Sequence, residues 1–322
     1  MNKVTLRACC IAMAVLTAPP TFAQSYPAKA VRFVVPFVAG GPNDIQARML
    51  GDKLTQRLGQ QFVIDNRGGA NGNIGMELVA KSPPDGYTIV IATVGTWAVS
   101  PSLYKLSFDM TRDLAPLILV STSPAVLVVH PSAPVKNVRE LITLAKAQPG
   151  KLNYGSSGVG GLGHISGALF CLLSNTRMVH VPYKSSAPSL TDVIAGQIEV
   201  LFNNTLATVP FIKAGRLRAI AVTSLKRVQA LPELPTIDES GLKGYDNSSW
   251  SAMGAPANTP RDIIAKLNSE LNQILKLPDI QEKSVAGGAD ILGGTPEQFA
   301  DYLKSEISKF ARVVKEAKIT AE

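Results

Sequence analysis

The sequence predicts an α/β protein built as two lobes joined by two chain crossovers. Short β-rich runs alternate with segments of helical period along most of the chain. A glycine-rich junction stands between a strand-like run and a helix-like one in each half, first at Gly40-Gly41 and later from Gly155 to Gly163. At 322 residues the chain also exceeds the usual size of one domain.

The elements follow in order. Lys3 and Arg7, the apolar run Ala8 to Ala18 and the small residues around Thr21-Phe22-Ala23 read as a secretory signal cleaved after Ala23. That run is too short to span a bilayer. Val31 to Val35 is the first strand, and Asp44 to Leu58 carries helical spacing through Ile45, Met49, Leu54 and Leu58. Gln61 to Ile64 and Thr88 to Thr93 are strands around a helix at Met76 to Lys81, which makes a β-α-β-α-β start and a mostly parallel sheet. The grammar then repeats. Strands are expected at Ala125–Val129, Leu152–Tyr154, Val179–Val181, Ile198–Phe202 and Leu217–Val222. Helices are expected at Val138–Ala147, Ile165–Leu173 and Ala187–Ala195. The remainder is mainly helical, at Pro260–Leu275 and Pro296–Ala317. A helical tail must dock, so crossovers are placed near Ser121–Pro124 and Asn247–Ser251. Residues 24–123 with 248–322 then form lobe 1, and 124–247 form lobe 2.

Composition excludes several functions. Cleavage removes Cys9 and Cys10, leaving Cys171 in the apolar stretch Ala168 to Leu173, where a buried structural thiol is expected. Losing Lys3 and Arg7 lowers the formal net charge from +8 to +6. The positive charges are scattered, with no basic run interleaved with aromatics, which argues against nucleic-acid binding. They suit an anionic small molecule, and equally plain solubility. The histidines and the remaining cysteine offer no metal-ligand spacing.

Two junctions can carry chemistry. In Phe37-Val38-Ala39-Gly40-Gly41-Pro42-Asn43-Asp44 the glycines let backbone N–H groups approach a ligand, and Pro42 suits the first helical position. A helix N-terminus favours a carboxylate or phosphate. The same junction reads equally as a plain turn with Asp44 complementing the helix dipole. In Tyr154 to His164, Ser156 and Ser157 offer hydroxyls and Gly158, Gly160 and Gly163 offer amides. These glycines also match a dinucleotide fingerprint, but the first acidic residue after it, Asp192, falls inside a helix-like run. A serine hydrolase is the other alternative. Val159 occupies the last glycine position of a nucleophile elbow, and His164 reads as a helix-start residue. Thr93 to Trp97 and Tyr183 to Pro188 are polar loops, with Lys184 a countercharge for a carboxylate or a solvated surface lysine.

At this point a resemblance emerges from motifs in fixed order. They are Tyr26-Pro27 with Val31 to Pro36, Phe37-x-Ala39-Gly40-Gly41-x-x-Asp44, and Asp65-Asn66-Arg67-x-Gly69-Ala70-x-Gly72. Pro84 to Thr88, Tyr154-Gly155-Ser156-x-Gly158-x-Gly160 and His180 to Lys184 with Ala187-Pro188 continue the series. Across the mature chain the sequence resembles the substrate-binding proteins of tripartite tricarboxylate transporters, the Bug family of Gram-negative periplasms. The resemblance implies a two-lobed Venus-flytrap fold of the type II-like kind. It also implies small carboxylate ligands, no cofactor, no catalysis and a monomeric periplasmic protein. Its partners would be transporter membrane components or, alternatively, a sensor protein. The loops from Phe37 to Asp44 and from Ser156 to Gly160 would grip carboxylates from opposite lobes. The candidate ligand-binding set is Phe37, Ala39, Gly40, Gly41, Asn43, Asp44, Thr93, Thr96, Ser156, Ser157, Gly158, Tyr183, Lys184 and Asn203. Departures from the family pattern fall at Trp97, Ala168, Ser185-Ser186 and Asn203; an aspartate is frequent at 203, and its loss disfavours an amino-acid ligand.

Overall fold

Two parallel sheets meet along a pair of long antiparallel strands. The computed structural model describes residues 26–183, 186–286 and 288–320, so the signal segment and Lys184 lie outside the described residues. Strand β1 (Val31–Val35) pairs in parallel with β2 (Phe62–Asn66) and β3 (Thr88–Thr93). The second parallel set is β5 (Asn153–Ser156) between β6 (Val179–Pro182) and β7 (Val200–Asn204). Between the sets run β4 (Leu114–Val129) and β9 (Ser248–Pro256), giving the order β2-β1-β3-β9-β4-β7-β5-β6. Strand β4 pairs with β9 as far as Pro124↔Ser248. From Ala125 and Val126 onward it pairs with β7 and β8 (Arg218–Val222). One continuous strand therefore passes from one sheet into the other.

Helices cover the sheets because their apolar faces have nowhere else to go. Helix α1 (Pro42–Leu58) buries Ala47, Leu50 and Leu54, and α8 (Arg261–Ile274) buries Leu267 and Leu271. They share a core with Val31, Phe33 and Val35. On the other face of the first sheet lie α2 (Asn73–Ala80), a π-helical turn (Gly95–Val99) and the short α3 (Ser100–Leu103). Helix α10 (Pro296–Glu316) docks here. It opens with a reciprocal cap, in which the Thr295 hydroxyl accepts from the Gln298 N–H and the Gln298 side chain accepts from the Thr295 N–H. Its face of Phe299, Leu303, Phe310 and Val313 is buried. Phe299 meets Trp97 edge-on at 5.4 Å and Trp250 at 6.0 Å. The same core continues through Leu127 and Val129 to Phe170, Phe202 and Tyr245. The second sheet is closed by α4 (Val138–Ala147), α5 (Leu162–Ser174), α6 (Ser186–Ile194) and α7 (Thr205–Lys213). Helix α9 (Pro278–Ala286) and β10 (Asp290–Ile291), which pairs with β4, complete the described chain.

Most expected elements appear within a few residues of their expected bounds. Strand β4 differs, because only Ala125–Val129 was expected and the strand begins at Leu114. Pro116 and Pro124 break the β pattern; a register shift follows Pro116, a second lies between Leu119 and Ser121, and Pro124 stands at the end of the pairing with β9. Strand β9 is new as well. Its Ser-Ser-Trp-Ser-Ala-Met-Gly-Ala-Pro sequence has low β propensity, and pairing with both β3 and β4 holds it extended. Cys171 is free and largely covered, and burial raises its thiol.

A candidate ligand cleft

The junction between β1 and α1 forms one wall of a cleft of about 730 Å³. Gly40 takes a left-handed φ of +81°, and Gly41 stands at the N-cap in extended conformation with no side-chain cap. Pro42 occupies the first turn. Free N–H groups of that turn are the anion-attracting end of α1. Asp44 does not point into the cleft. Its buried carboxylate accepts from the Gly40 N–H at 2.8 Å, Arg48 Nε at 3.0 Å and Asn66 Nδ2 at 3.0 Å. The Arg48 hydrogen bond, then that of Gly40, holds the carboxyl down at about 2. Asn66 also donates to the Phe37 carbonyl at 3.2 Å, so Asp44 and Asn66 fix the loop's shape.

The floor is laid by the crossing strands. Ser121 and Ser123 come from β4, and Ser249 and Ser251 from β9. Gln46 of α1 donates to the Ser121 hydroxyl at 2.9 Å and accepts from that of Ser251 at 2.7 Å. The helix that carries the anion-attracting end is thus bonded to both strands linking the sheets. Phe37, Val38, Ile45 and Met49 add hydrocarbon, Thr93 closes the end of β3, and Lys283, Ser284 and Ala289 come from the α9 segment.

The β5–α5 junction is organised differently. Ser156 is fully buried, with its hydroxyl 2.7 Å from His180 Nε2 and 3.2 Å from the Gly158 N–H it accepts. His164 Nδ1 accepts from the Gly160 N–H at 3.1 Å, which places the ring proton on Nε2. The His164 and His180 rings stack at 3.7 Å and 5°. Burial pushes His164 down to about 4; burial and the neighbouring His164 push His180 to about 3. Two neutral imidazoles and a buried hydroxyl therefore hold the glycine loop, in which Gly158 and Gly160 take positive φ. The Ser156–His180 contact escaped the sequence reading because the partners meet only when β5 pairs with β6.

Of the expected site residues, Phe37, Gly41, Asn43 and Thr93 line the cleft together. Ala39 and Gly40 are exposed on the loop beside it, and Ser157 is exposed on the other junction. Thr96 is buried and donates to the Asn71 carbonyl at 2.9 Å. The Tyr183 hydroxyl donates to Asp192 at 2.6 Å, and burial with that bond raises it to about 12. Asn203 is buried and donates to Thr208, whereas its neighbour Asn204 reaches the cleft. Adjacent strand residues face opposite sides. Gln46, Met49 and Lys283 were missed, although the first two follow Pro42 at helical spacing, a legible signal. Among the described residues no group of three His, Cys, Asp or Glu could hold a metal, and no helix is long and apolar enough to cross a membrane.

Residues 46–319 match the family described as "Tripartite tricarboxylate transporter family receptor". The chain belongs to this receptor family. Protein BugT of Bordetella pertussis is 35% identical over 301 residues, covering 93% of this chain and 92% of BugT. The solved structure of R. palustris Rpa4515 with adipate is 39% identical with a TM-score of 0.78, covering 92% of this chain and 99% of that one. MatC from Rhodopseudomonas palustris, with bound malate, is 29% identical with a TM-score of 0.75, covering 90% and 100%. The expected α/β two-lobed binding-protein fold and the expected Bug-type family are both borne out. The tricarboxylate transporter receptor is thus a solute-binding protein, and its relatives in this family are receptors rather than enzymes.

Proposed function

We propose that this receptor works in the periplasm and binds a small organic carboxylate in the cleft. It then presents the ligand, as a monomer, to the membrane components of a tripartite tricarboxylate-type transporter. The lobes are residues 24–123 with 248–322, and residues 124–247. The observation that carries the reading is the α1 N-terminus, without a side-chain cap, in the cleft wall. Such a terminus attracts carboxylates through backbone N–H groups and the helix dipole. The neighbours solved with adipate and malate support the same anion chemistry. Phe37, Gly41, Asn43 and Thr93 act on the open cleft; Ser157, Gly158 and Tyr183 join from the facing lobe on closure. A thermal-shift screen over organic acids tests this, because a ligand bound only by the folded state at 100 times its Kd adds about 2.7 kcal/mol of stability. Acids should raise the melting temperature where their amides do not, and a screen in which no acid does so would sink the reading.

Two further results are expected. Periplasmic protein should begin at Gln24 on N-terminal sequencing; a cytoplasmic product starting at Met1 would contradict export. Ser156 should resist serine-directed phosphonates, since its hydroxyl is buried and already bonded. Stoichiometric labelling of Ser156 or Ser157, read by mass spectrometry, would favour a hydrolase instead.

A further inference from the structure

Among the described residues that line the cleft, Lys283 is the single charged side chain. It is exposed on α9 and makes no hydrogen bond or ion pair to the described residues. Asp279, one turn earlier on the same helix, would be its natural partner. That carboxylate is bonded by Lys53 at 2.8 Å and acts on Lys283 only through a weaker Coulombic attraction, so the ammonium keeps its hydrogen-bonding capacity. The Lys53–Asp279 pair also sets the geometry. Lys53 lies about 16 Å along α1 from Pro42 at the usual helical rise, so α9 is pinned to α1 well away from its N-terminus. The cleft is lined by two anion-attracting points on different elements, the α1 N-terminus and the Lys283 ammonium. The lining of α1 and the loop before it contributes hydrocarbon from Phe37, Val38, Ile45 and Met49. Val38 and Ile45 are 76% and 61% exposed, apolar surface that lacks a cover.

We infer that Lys283 determines specificity by anchoring the second carboxylate of a dicarboxylate with an apolar spacer. The first carboxylate sits at the α1 N-terminus, and the spacer lies on Phe37, Val38, Ile45 and Met49. The inference rests on the carboxylate reading and narrows it. Compact hydroxylated tricarboxylates fit less well, because polar groups lying on these hydrocarbon side chains give up water for no partner there, and the floor hydroxyls of Ser121, Ser123 and Ser251 are already bonded within the protein. Monocarboxylates fit poorly because they leave the ammonium with only the through-space attraction of Asp279, which Lys53 already engages.

Calorimetric titration of the mature full chain with adipate, hexanoate and citrate tests this. The parent should bind adipate at least about tenfold more tightly than the other two, the worth of one charge-assisted contact. Lys283→Met should lose about tenfold for adipate and much less for hexanoate. Lys283→Arg should keep most of the preference, and Lys276→Met, an exposed lysine outside the cleft, should keep all of it. Lys283 loses only an exposed Coulombic attraction to Asp279, so its variants should unfold close to the parent's midpoint. Adipate binding by Lys283→Met as tight as the parent's overturns the assignment and leaves the carboxylate reading standing. A parent that prefers citrate to adipate overturns the apolar-spacer part. A parent that binds neither these three acids nor any acid in the screen overturns both the inference and the reading beneath it.

Discussion

Replacing Gly163 by alanine should destabilise the protein by about 3 kcal/mol, although alanine is the better helix former. Propensity alone predicts a gain of up to about 1 kcal/mol. Packing opposes it. A Cβ on Gly163 would lie 2.4 Å from the Phe202 carbonyl oxygen and 3.1 Å from Ser156 Cβ. Neither atom is the end of a flexible side chain. Phe202 is held in the β4–β7 ladder opposite Leu127, and Ser156 closes β5 against β6. Helix α5 must therefore lift off the sheet, carrying His164 and the glycine loop with it. Overpacking costs about 1–3 kcal/mol, and a conflict with backbone belongs at the upper end. Gly51 of α1 is the contrast. Its nearest neighbour to an added Cβ is the Ile64 Cδ1 methyl at 3.3 Å, which can rotate aside. Gly51→Ala should be neutral or slightly stabilising. Urea midpoints at unchanged slope measure both; a Gly163→Ala protein as stable as the parent would show that α5 does not seat against β7 this closely.

That contact also marks where the sequence stops being readable. The parallel sets were legible because their signals are local: β-rich runs such as Val31 to Val35, helical spacing from Asp44 to Leu58, and glycines between them. The crossing strands were half legible. Ala125 to Val129 reads as a strand, while Leu114 to Pro124 carries two prolines and a serine-rich end that only pairing with β9 makes extended. Ser248 to Pro256 gives no local signal, since its conformation is imposed by neighbours on both sides. The site divides the same way. The α1 end of the cleft follows from Gly41, Pro42 and Asn43 in one segment. Lys283 lies more than two hundred residues away on α9, and it reaches the cleft because α9 docks through buried Ile280 on the core of α1 and α8, with Lys53 and Asp279 bridging α1 and α9. Asn204 rather than Asn203 faces the cleft because register decides which of two neighbouring asparagines points that way.

Gly41→Leu should weaken binding of the best acid from the screen by about a hundredfold while leaving the fold in place. The position tolerates a side chain. Gly41 has φ −79° and ψ 169°, extended values that any residue adopts, and a Cβ there would meet nothing closer than the Val38 carbonyl at 3.6 Å. The expected loss of stability is only that of a poorer N-cap residue, about 1 kcal/mol. The leucine side chain would instead stand in the cleft at the α1 N-terminus, between the ligand and the first-turn N–H groups. Each hydrogen bond lost by a charged group costs about 1.5–3 kcal/mol, so two lost bonds correspond to roughly a hundredfold or more. Gly41→Ala, one carbon larger than the parent, should fall between the two. Calorimetric titration of both variants beside the parent, with unfolding midpoints recorded on the same samples, separates lost binding from lost structure. The argument depends on where the anion sits. If Gly41→Leu binds as the parent does, the carboxylate is not at the α1 N-terminus, and the uncapped helix end in the cleft wall is only a turn.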